Sequence, residues 1–206
     1  MRITGGKHGG RILKAPKGLD VRPTPDRMKQ AIFNSLGARV TGARILELFA
    51  GTGALSFEAL SRGASAAVCV EKSPRHAEVI RRNAEGAGVP AQVIQVRVQD
   101  VFIAIGQLAE VKALFDLVLA DPPYGEKNIG RRSTSLAQQL LDDPRLPKLL
   151  TPEGLLMLGH TKRDTLTLPD HWAERKVLKH GDSMMWFLQP SPPVESPEQG
   201  TAPPSH

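Results

Sequence analysis

The most regular feature of this chain is an alternation of short apolar runs with amphipathic stretches from residue 44 onward. Four apolar runs have the length typical of buried strands, namely 45–49, 66–71, 91–96 and 114–120. The stretches between them, 54–62, 74–87 and 101–110, have apolar residues at helical spacing. Strands alternating with helices predict an α/β fold with a doubly wound, mostly parallel sheet.

The same alternation continues toward the C-terminus. It predicts helical segments at 133–141 and 147–150, a fifth strand at 154–159, and a closing hairpin of 172–179 and 183–188 around Gly181-Asp182. These two strands complete a seven-stranded sheet. Ligands of such sheets bind outside the carboxyl ends of the parallel strands, so the turns after those strands are where chemistry is expected.

The two ends of the chain differ from this body. Residues 1–22 are expected to form a basic N-terminal hairpin with Ile3 and Ile12-Leu13 facing inward, and residues 23–188 the main domain. Thr24 is expected to be the N-cap of a helix that has Pro25 at its first position and ends at Gly37. Residues 189–206 contain six prolines and no aromatic residue, which predicts a disordered tail.

Charge is concentrated near the N-terminus. The 206 residues have a net charge of +6, but residues 1–39 hold nine lysines and arginines against two acids. A basic arm on a nearly neutral body favours a polyanionic partner, most simply nucleic acid. A basic, solvated extension that only aids solubility is the alternative.

Composition also narrows the class of protein. No apolar run reaches membrane-spanning length and no signal-peptide pattern is present, so a cytoplasmic protein without a membrane partner is expected. A single cysteine, Cys69, excludes an internal disulfide and a cysteine-rich zinc site. The histidines are scattered, and no metal is expected.

The most distinctive chemistry follows the fourth strand, at Asp121-Pro122-Pro123-Tyr124. The prolines remove two backbone donors and stiffen the turn, which leaves a carboxylate, backbone carbonyls and a ring. This set suits a planar group with an exocyclic NH2, because the acid and a carbonyl accept its two hydrogens and the tyrosine stacks on its face. A strand followed by a polyproline turn is the alternative.

The turn after the first strand contains Glu47 and then Phe49-Ala50-Gly51-Thr52-Gly53. Two glycines two apart let a ligand approach the backbone, and the next helix N-terminus favours a carboxylate or phosphate. A dinucleotide site is the competing interpretation, but it usually has a third glycine where this chain has Ser56.

Two further acids end strands at the same predicted edge. Glu71 comes 18 residues after Gly53, where an acid would bind the hydroxyls of a ribose in NAD or S-adenosylmethionine alike. Asp100 follows the third strand, where it would accept a hydrogen bond from an adenine amino group. The alternatives are an exposed strand-end acid for Glu71 and a helix N-cap for Asp100.

Together these acids, the glycine turn and Asp121-Pro122-Pro123-Tyr124 resemble the class I S-adenosylmethionine-dependent methyltransferases that modify exocyclic amino groups. The N-terminal pieces Gly6-Lys7, Gly10-Arg11 and Arg22-Pro23-Thr24, with the late Gly181-Asp182, narrow the resemblance to the RsmD family, over about residues 1–188. That family methylates the N2 amino group of a guanine in 16S ribosomal RNA. Gly9 and His160 depart from its pattern, which usually has arginine and glutamate there.

The resemblance implies a set of site residues. The catalytic residues would be Asp121, Pro122 and Tyr124. S-adenosylmethionine, which leaves as S-adenosylhomocysteine, would be bound by Thr24, Arg27, Glu47, Phe49, Gly51, Thr52, Gly53, Glu71, Lys72, Asp100 and Val101. RNA would be bound by Arg2, Lys7, Arg11, Lys14, Arg22, Arg131 and Arg132. The loop 125–135 is expected to be a mobile lid that touches phosphates, with an ordinary surface loop as the alternative.

The resemblance further implies a monomer that acts on the small ribosomal subunit. Three other functions stay open: a DNA or other RNA amino-methyltransferase, a non-catalytic RNA-binding assembly factor, and an NAD-dependent enzyme. Protein-glutamine methyltransferases share the geometry but favour asparagine where this chain has Asp121.

Overall fold

The computed structural model describes residues 1–15, 24–125, 127–128 and 131–192. Five helices lie in these ranges: α1 (Asp26–Leu36), α2 (Ala54–Ser61), α3 (Pro74–Ala87), α4 (Val101–Glu110) and α5 (Leu136–Asp142). Seven strands lie there as well: β1 (Arg44–Leu48), β2 (Ala66–Glu71), β3 (Ile94–Val98), β4 (Phe115–Ala120), β5 (Leu150–Thr161), β6 (Trp172–His180) and β7 (Ser183–Pro190).

The strands form one sheet in the order β3-β2-β1-β4-β5-β7-β6. Strands β1 to β5 are parallel to one another, whereas β7 runs antiparallel to both β5 and β6. The predicted fold class, a mostly parallel seven-stranded α/β sheet, is therefore confirmed. The chain leaves β1 toward β2 on one side and returns on the other as β4, so the β1–β4 boundary is the topological switch point.

Alternate residues of β1 pack on opposite faces of the sheet. Ile45 belongs to the apolar cluster that includes Ile32 and Phe57, whereas Leu46 and Leu48 belong to the cluster on the other face. This period of two places Glu47 on the same face as Ile45, among the side chains that pack beneath α2. The position of Glu47 in the site below follows from this alternation.

Two predicted strands begin three or more residues away from where the structure places them, whereas the other strand starts agree to within one residue. The third strand was expected at 91–96, but the Val93 amide donates to the Pro90 carbonyl in a turn, so the strand begins only at Ile94. The fifth was expected to begin at Gly154, after Pro152, yet it begins at Leu150. A register shift in its pairing with β4 accommodates the irregular residues, and such bulges leave no sequence periodicity to detect.

In the described part of the predicted N-terminal hairpin, residues 1–15, Arg2 and Ile12 are antiparallel partners. Ile3 and Leu13 are buried as expected, but Ile12 is 82% exposed. The expectation for Ile12 was wrong because neighbours in an extended strand point to opposite sides, so Ile12 and Leu13 cannot both face inward.

Two further predictions, for residues near the ends of the main domain, are wrong. Thr24 is not the N-cap of α1, because Pro25 occupies that position and the Thr24 hydroxyl is bound elsewhere. Gln189 and Pro190, expected to begin the tail, end β7 instead. The rest of that tail, 193–206, and the stretch 16–23 lie outside the described residues. Among the residues described, no helix is long and apolar enough to cross a membrane.

A buried carboxylate attaches the hairpin to the domain. Glu58 of α2 is fully buried and accepts hydrogen bonds from the Thr4 amide at 2.6 Å and the Thr4 hydroxyl at 2.7 Å. It also pairs with Arg62 at 2.8 Å. A buried carboxylate that satisfies three donors fixes its partners, since each would otherwise lose a hydrogen bond in a dry environment.

Removing this carboxylate is expected to destabilise the chain. Glu58→Ala should lower the free energy of unfolding by about 3 kcal/mol, because it breaks a buried pair and leaves the Thr4 donors unpaired. Urea denaturation measures the loss, and amide exchange should become faster in residues 1–13. The matched control is Glu78→Ala, since Glu78 pairs with Arg82 at the same i,i+4 spacing but is 49% exposed. That variant should lose less than about 0.5 kcal/mol, and equal losses would contradict the prediction.

Candidate active site

Asp121 lies directly after β4, next to the switch point. One carboxylate oxygen accepts a hydrogen bond from the Thr24 hydroxyl at 2.6 Å. Burial raises the pKa of the Asp121 carboxyl group above its ordinary value, and the hydrogen bond from Thr24 offsets part of that increase. A carboxylate that is partly desolvated yet kept as an acceptor is suited to bind N–H groups of a substrate.

Gly159 on β5 makes room for this carboxylate. A Cβ atom at position 159 would lie 2.3 Å from the second Asp121 oxygen, Oδ1. No real side chain tolerates that distance, so any larger residue would displace the acid. Sequence reasoning placed Gly159 only at the end of the predicted fifth strand. Its role depends on the pairing of β4 with β5, which the sequence pattern does not reveal.

Tyr124 stands at the outer side of the same turn. It is 41% exposed, and its hydroxyl lies 3.3 Å from the Ser183 hydroxyl at the start of β7. The ring is thus tethered at its tip while much of its surface is open. This is the state expected of a ring that stacks on an incoming planar group.

The turn after β1 has an uncommon backbone. Phe49 has a positive φ of 56°, which is rare for a residue with a bulky side chain, and Gly51 and Gly53 follow with φ of 55° and 75°. At Gly53 a Cβ atom would also lie 2.9 Å from the Phe57 ring. Such local strain is often found at ligand sites, because the surrounding fold must hold it in place.

Glu47 is buried and turned toward α2. Its two oxygens accept hydrogen bonds from the backbone amides of Leu55 at 3.2 Å and Ser56 at 2.9 Å. Burial raises the pKa of Glu47 to about 7, although the hydrogen bonds from Ser56 and Leu55 oppose this. In this structure Glu47 therefore holds the N-terminus of α2, and a direct cofactor contact stays a prediction.

Glu71 and Asp100 both lie at the expected edge, and each also has a structural contact. Glu71 accepts hydrogen bonds from the amides of Gly51 and Ser73, both at 2.8 Å. Asp100 is the N-cap of α4 and accepts from Phe102 at 2.9 Å. A carboxylate offers about four acceptor positions, so both acids keep room for ligand hydroxyl or amino groups.

These residues surround a cavity of about 480 Å³. Nine of the predicted site residues line it: Phe49, Gly51, Glu71, Lys72, Asp100, Val101, Asp121, Pro122 and Tyr124. A smaller cavity of about 60 Å³ shares Phe49, Gly51 and Asp121 and adds Thr24, Glu47 and Thr52. Gly53 and Arg27 line neither cavity. The volume is in the range of sites for small ligands and cofactors.

Sequence reasoning missed three residues that line the larger cavity, namely His76, Phe102 and Leu136. Pro123, from the turn singled out in the sequence, lines it as well. His76 has Nδ1 at 3.5 Å from Glu71, and its buried Nε2 has no hydrogen-bond partner among the described residues. Its place in the first turn of α3, directly after the strand that Glu71 ends, is the signal that would have found it.

The comparisons with known proteins agree with this geometry. A family model described as conserved hypothetical protein 95 matches residues 1–189. YlbH of Bacillus subtilis, named as a candidate rRNA methyltransferase, is 34% identical over 162 residues, which are 79% of this chain and 83% of that protein. This chain belongs to the RsmD family.

Two further comparisons cover most of the molecule. The ribosomal RNA small subunit methyltransferase D of Haemophilus influenzae is 29% identical over 84% of both chains. The solved structure of yhhF from Escherichia coli, titled as a candidate methyltransferase, is 30% identical with a TM-score of 0.73, over 92% of this chain and 97% of that one. The RsmD family is S-adenosylmethionine-dependent. The glycine turn and the two strand-end acids around the cavity fit a ligand of that kind.

One departure from the RsmD pattern now has a structural description. His160 is buried, and its ring meets Trp186 edge to face at 4.9 Å between centroids. Its Nδ1 lies 3.0 Å from the Thr161 carbonyl oxygen, and burial lowers its pKa. The residue therefore packs at the end of β5, at the position where the family usually has glutamate, and offers no carboxylate there.

The predicted RNA-binding residues fall into three groups. Arg2, Arg11 and Arg132 have protein partners: Asp26 at 3.1 Å, the Ala87 carbonyl, and Asp142 at 2.7 Å. Lys7, Lys14 and Arg131 are exposed. Arg22 lies outside the described residues, as do positions 126, 129 and 130 of the loop expected to be a lid, so the lid stays a prediction.

The raised pKa of Glu47 predicts how stability depends on pH. The folded chain binds the proton of the Glu47 carboxyl group more tightly than the unfolded chain does. The resulting contribution to the free energy of unfolding is fully present below about pH 4.5 and is lost as the pH rises through about 7. The loss is on the order of 3 kcal/mol. Urea denaturation across this pH range should show the decline in wild type and not in Glu47→Gln. Glu78→Gln is the surface control and should show the same decline as wild type. The prediction would be refuted if the difference in unfolding free energy between wild type and Glu47→Gln did not change with pH.

The contact between Thr24 and Asp121 predicts how the pKa of Asp121 changes when Thr24 is replaced. Thr24→Val should raise the pKa of Asp121 because the hydrogen bond that lowers it is removed, whereas Thr24→Ser should keep the wild-type value. Carbon-13 NMR titration of the Asp121 carboxyl group measures this. S-adenosylhomocysteine affinity should stay unchanged in both variants. A loss of that affinity in Thr24→Val, without a pKa shift, would instead favour the direct cofactor contact predicted from the sequence.

Proposed function

We propose that this chain transfers a methyl group from S-adenosylmethionine to the exocyclic N2 amino group of a guanine in the 16S ribosomal RNA of the small subunit. Its membership of the RsmD family supports a methyltransferase, and the names of its relatives support ribosomal RNA as the substrate. A cytoplasmic monomer is part of the same proposal.

One observation carries the choice of an amino group: the Asp121-Pro122-Pro123-Tyr124 turn lines the cavity with an acceptor-rich wall. A guanine amino group has two hydrogens to place. The Asp121 carboxylate accepts one, the Pro122 carbonyl accepts the other, and the Tyr124 ring stacks on the flipped base. Because Pro122 and Pro123 have no backbone N–H groups, no amide of theirs competes for these acceptors.

The cofactor side of the cavity is proposed to be the β1–β2–β3 side. Glu71 binds the ribose hydroxyls, Asp100 binds the adenine amino group, and the turn containing Gly51 lets the ligand approach the backbone. Lys72, whose side chain is 80% exposed at 3.7 Å from Asp100, lies at the rim of this side. When bound, the sulfonium supplies an activated methyl group, so the chain's own task is alignment.

The chain's residues also act on the nucleophile. The lone pair of a guanine amino nitrogen is delocalised into the ring, which makes it a weak nucleophile. Hydrogen bonds from both N–H groups to Asp121 and Pro122 return electron density to the nitrogen and stabilise the positive charge that develops on it. The Asp121 carboxylate is then the nearest base for the proton that this nitrogen releases.

A labelling assay tests the reaction and the substrate together. The protein is offered radiolabelled S-adenosylmethionine with three substrates: 30S subunits that lack the modification, naked 16S RNA, and duplex DNA. The products are digested to nucleosides. Label in N2-methylguanosine from a ribosomal substrate supports the proposal. Label in N6-methyladenine from DNA, or no label despite cofactor binding, would overturn it in favour of a DNA enzyme or a binding factor.

The role of Asp121 can be separated from binding. Asp121→Ala should lower methyl transfer at least about 100-fold, because both the aligned acceptor and the base are removed. Affinity for S-adenosylhomocysteine and for RNA should stay within about threefold of wild type, as measured by calorimetry and filter binding. Asp170→Ala, which removes an exposed acid, should keep full activity. A variant at position 121 that retains methylation would exclude Asp121 from the chemistry.

A further inference from the structure

The outer side of the site is formed by the tip of the β6–β7 hairpin. Thr161 at the end of β5 pairs with Ser183 at the start of β7, and Ser183 pairs with His180 at the end of β6. Because β7 runs antiparallel to β5, its first residues lie at the same edge as the carboxyl ends of the parallel strands. Residues 179–183 of this hairpin and the adjacent residues 161–163 at the end of β5 form one surface, which is called the hairpin tip below. The hairpin tip therefore borders the candidate site.

The hairpin tip touches the site directly. The Tyr124 hydroxyl lies 3.3 Å from the Ser183 hydroxyl, which belongs to the hairpin tip. The ring proposed to stack on the target base thus touches this surface. Any nucleotide that places its base on Tyr124 brings its neighbouring phosphates next to the tip.

The hairpin tip has an excess of positive charge. Lys162 and Arg163 are 59% and 65% exposed and pair with the single carboxylate of Asp182 at 2.6 and 3.1 Å. Lys179 and His180 are also exposed, and Lys179 makes no ion pair with any residue in the described ranges. One acid that holds two cations leaves the group with a net positive charge and a fixed orientation, which is favourable for binding phosphates.

The sheet order explains why RNA would approach from here. The acids proposed to bind the cofactor end β2 and follow β3, on one side of Asp121, whereas β5, β7 and β6 lie on the other side. A base that meets the cofactor at Asp121 must enter from the side that the cofactor leaves open. The hairpin tip is a basic surface on that side.

On these grounds we propose that the hairpin tip binds RNA phosphates adjacent to the target nucleotide, mainly through Arg163 and Lys179. This inference rests on the proposed function, since it assumes an RNA substrate at Tyr124. The competing interpretation is that these cations are solvated and only hold Asp182 and the turn in place.

A matched pair of double variants distinguishes the two. Arg163→Ala with Lys179→Ala removes two cations from the tip and keeps the Lys162–Asp182 pair intact. Arg175→Ala with Lys176→Ala removes the same two residue types from the middle of β6, away from the tip, where their partners are Gln189 and Ser35. Binding to naked 16S RNA is measured by filter binding from about 50 to 200 mM salt, the range over which phosphate contacts change affinity most clearly.

The tip variant should bind RNA about tenfold more weakly, and its slope of log affinity against log salt should be shallower by about 0.7 for each phosphate that it no longer neutralises. The control variant should keep the wild-type slope, and both should bind S-adenosylhomocysteine as wild type does. Equal effects in the two variants, or no effect at the tip, would overturn the inference. Because the readout is binding, a wild-type chain that binds RNA without methylating it would overturn the proposed function and leave this test interpretable.

Discussion

The site depends on one constraint, the placement of the Asp121 carboxylate at the switch point of the sheet. Its two oxygens are fixed from different parts of the chain: the Thr24 hydroxyl donates to one at 2.6 Å, and the other lies against Gly159, where no side chain would fit. An acid that is partly desolvated and oriented in advance loses little freedom when a substrate amino group binds. Orientation of this kind is the main contribution a protein makes when the reacting group is already activated.

The same constraint links the N-terminal region to the site. Thr24 precedes α1, and the hairpin of residues 1–13 is attached to α2 through the buried Glu58. Helix α2 is in turn held at its N-terminus by Glu47, a neighbour of the glycine turn. A basic arm proposed to contact RNA is therefore connected to the cofactor turn and the catalytic acid through buried carboxylates, which transmit position more rigidly than exposed ion pairs do.

Much of the fold followed from the sequence because its signals are local. Apolar runs of strand length, a helix that begins at Pro74, and glycines just past the helix ends at 63 and 88 gave the element order and the sheet class. The bounds of α3, α4 and β2 were correct. Errors arose where the local signal was ambiguous or overridden. Ile12 and Leu13 could not both face inward, and Thr24 is engaged by Asp121 across 97 residues of sequence.

The amino-acid sequence was enough to predict which groups meet at the candidate site: the acids, the two glycines and the Asp121-Pro122-Pro123-Tyr124 turn lie at or just after strand ends, and parallel strands end at one edge. The contacts of each group could be learned only from the folded chain. Glu47 turns to the α2 amides, His76 joins the cavity, Gly159 makes room for Asp121, and Ser183 meets Tyr124. These contacts depend on strand pairing and packing between residues far apart in the chain, and no local pattern of residues encodes them.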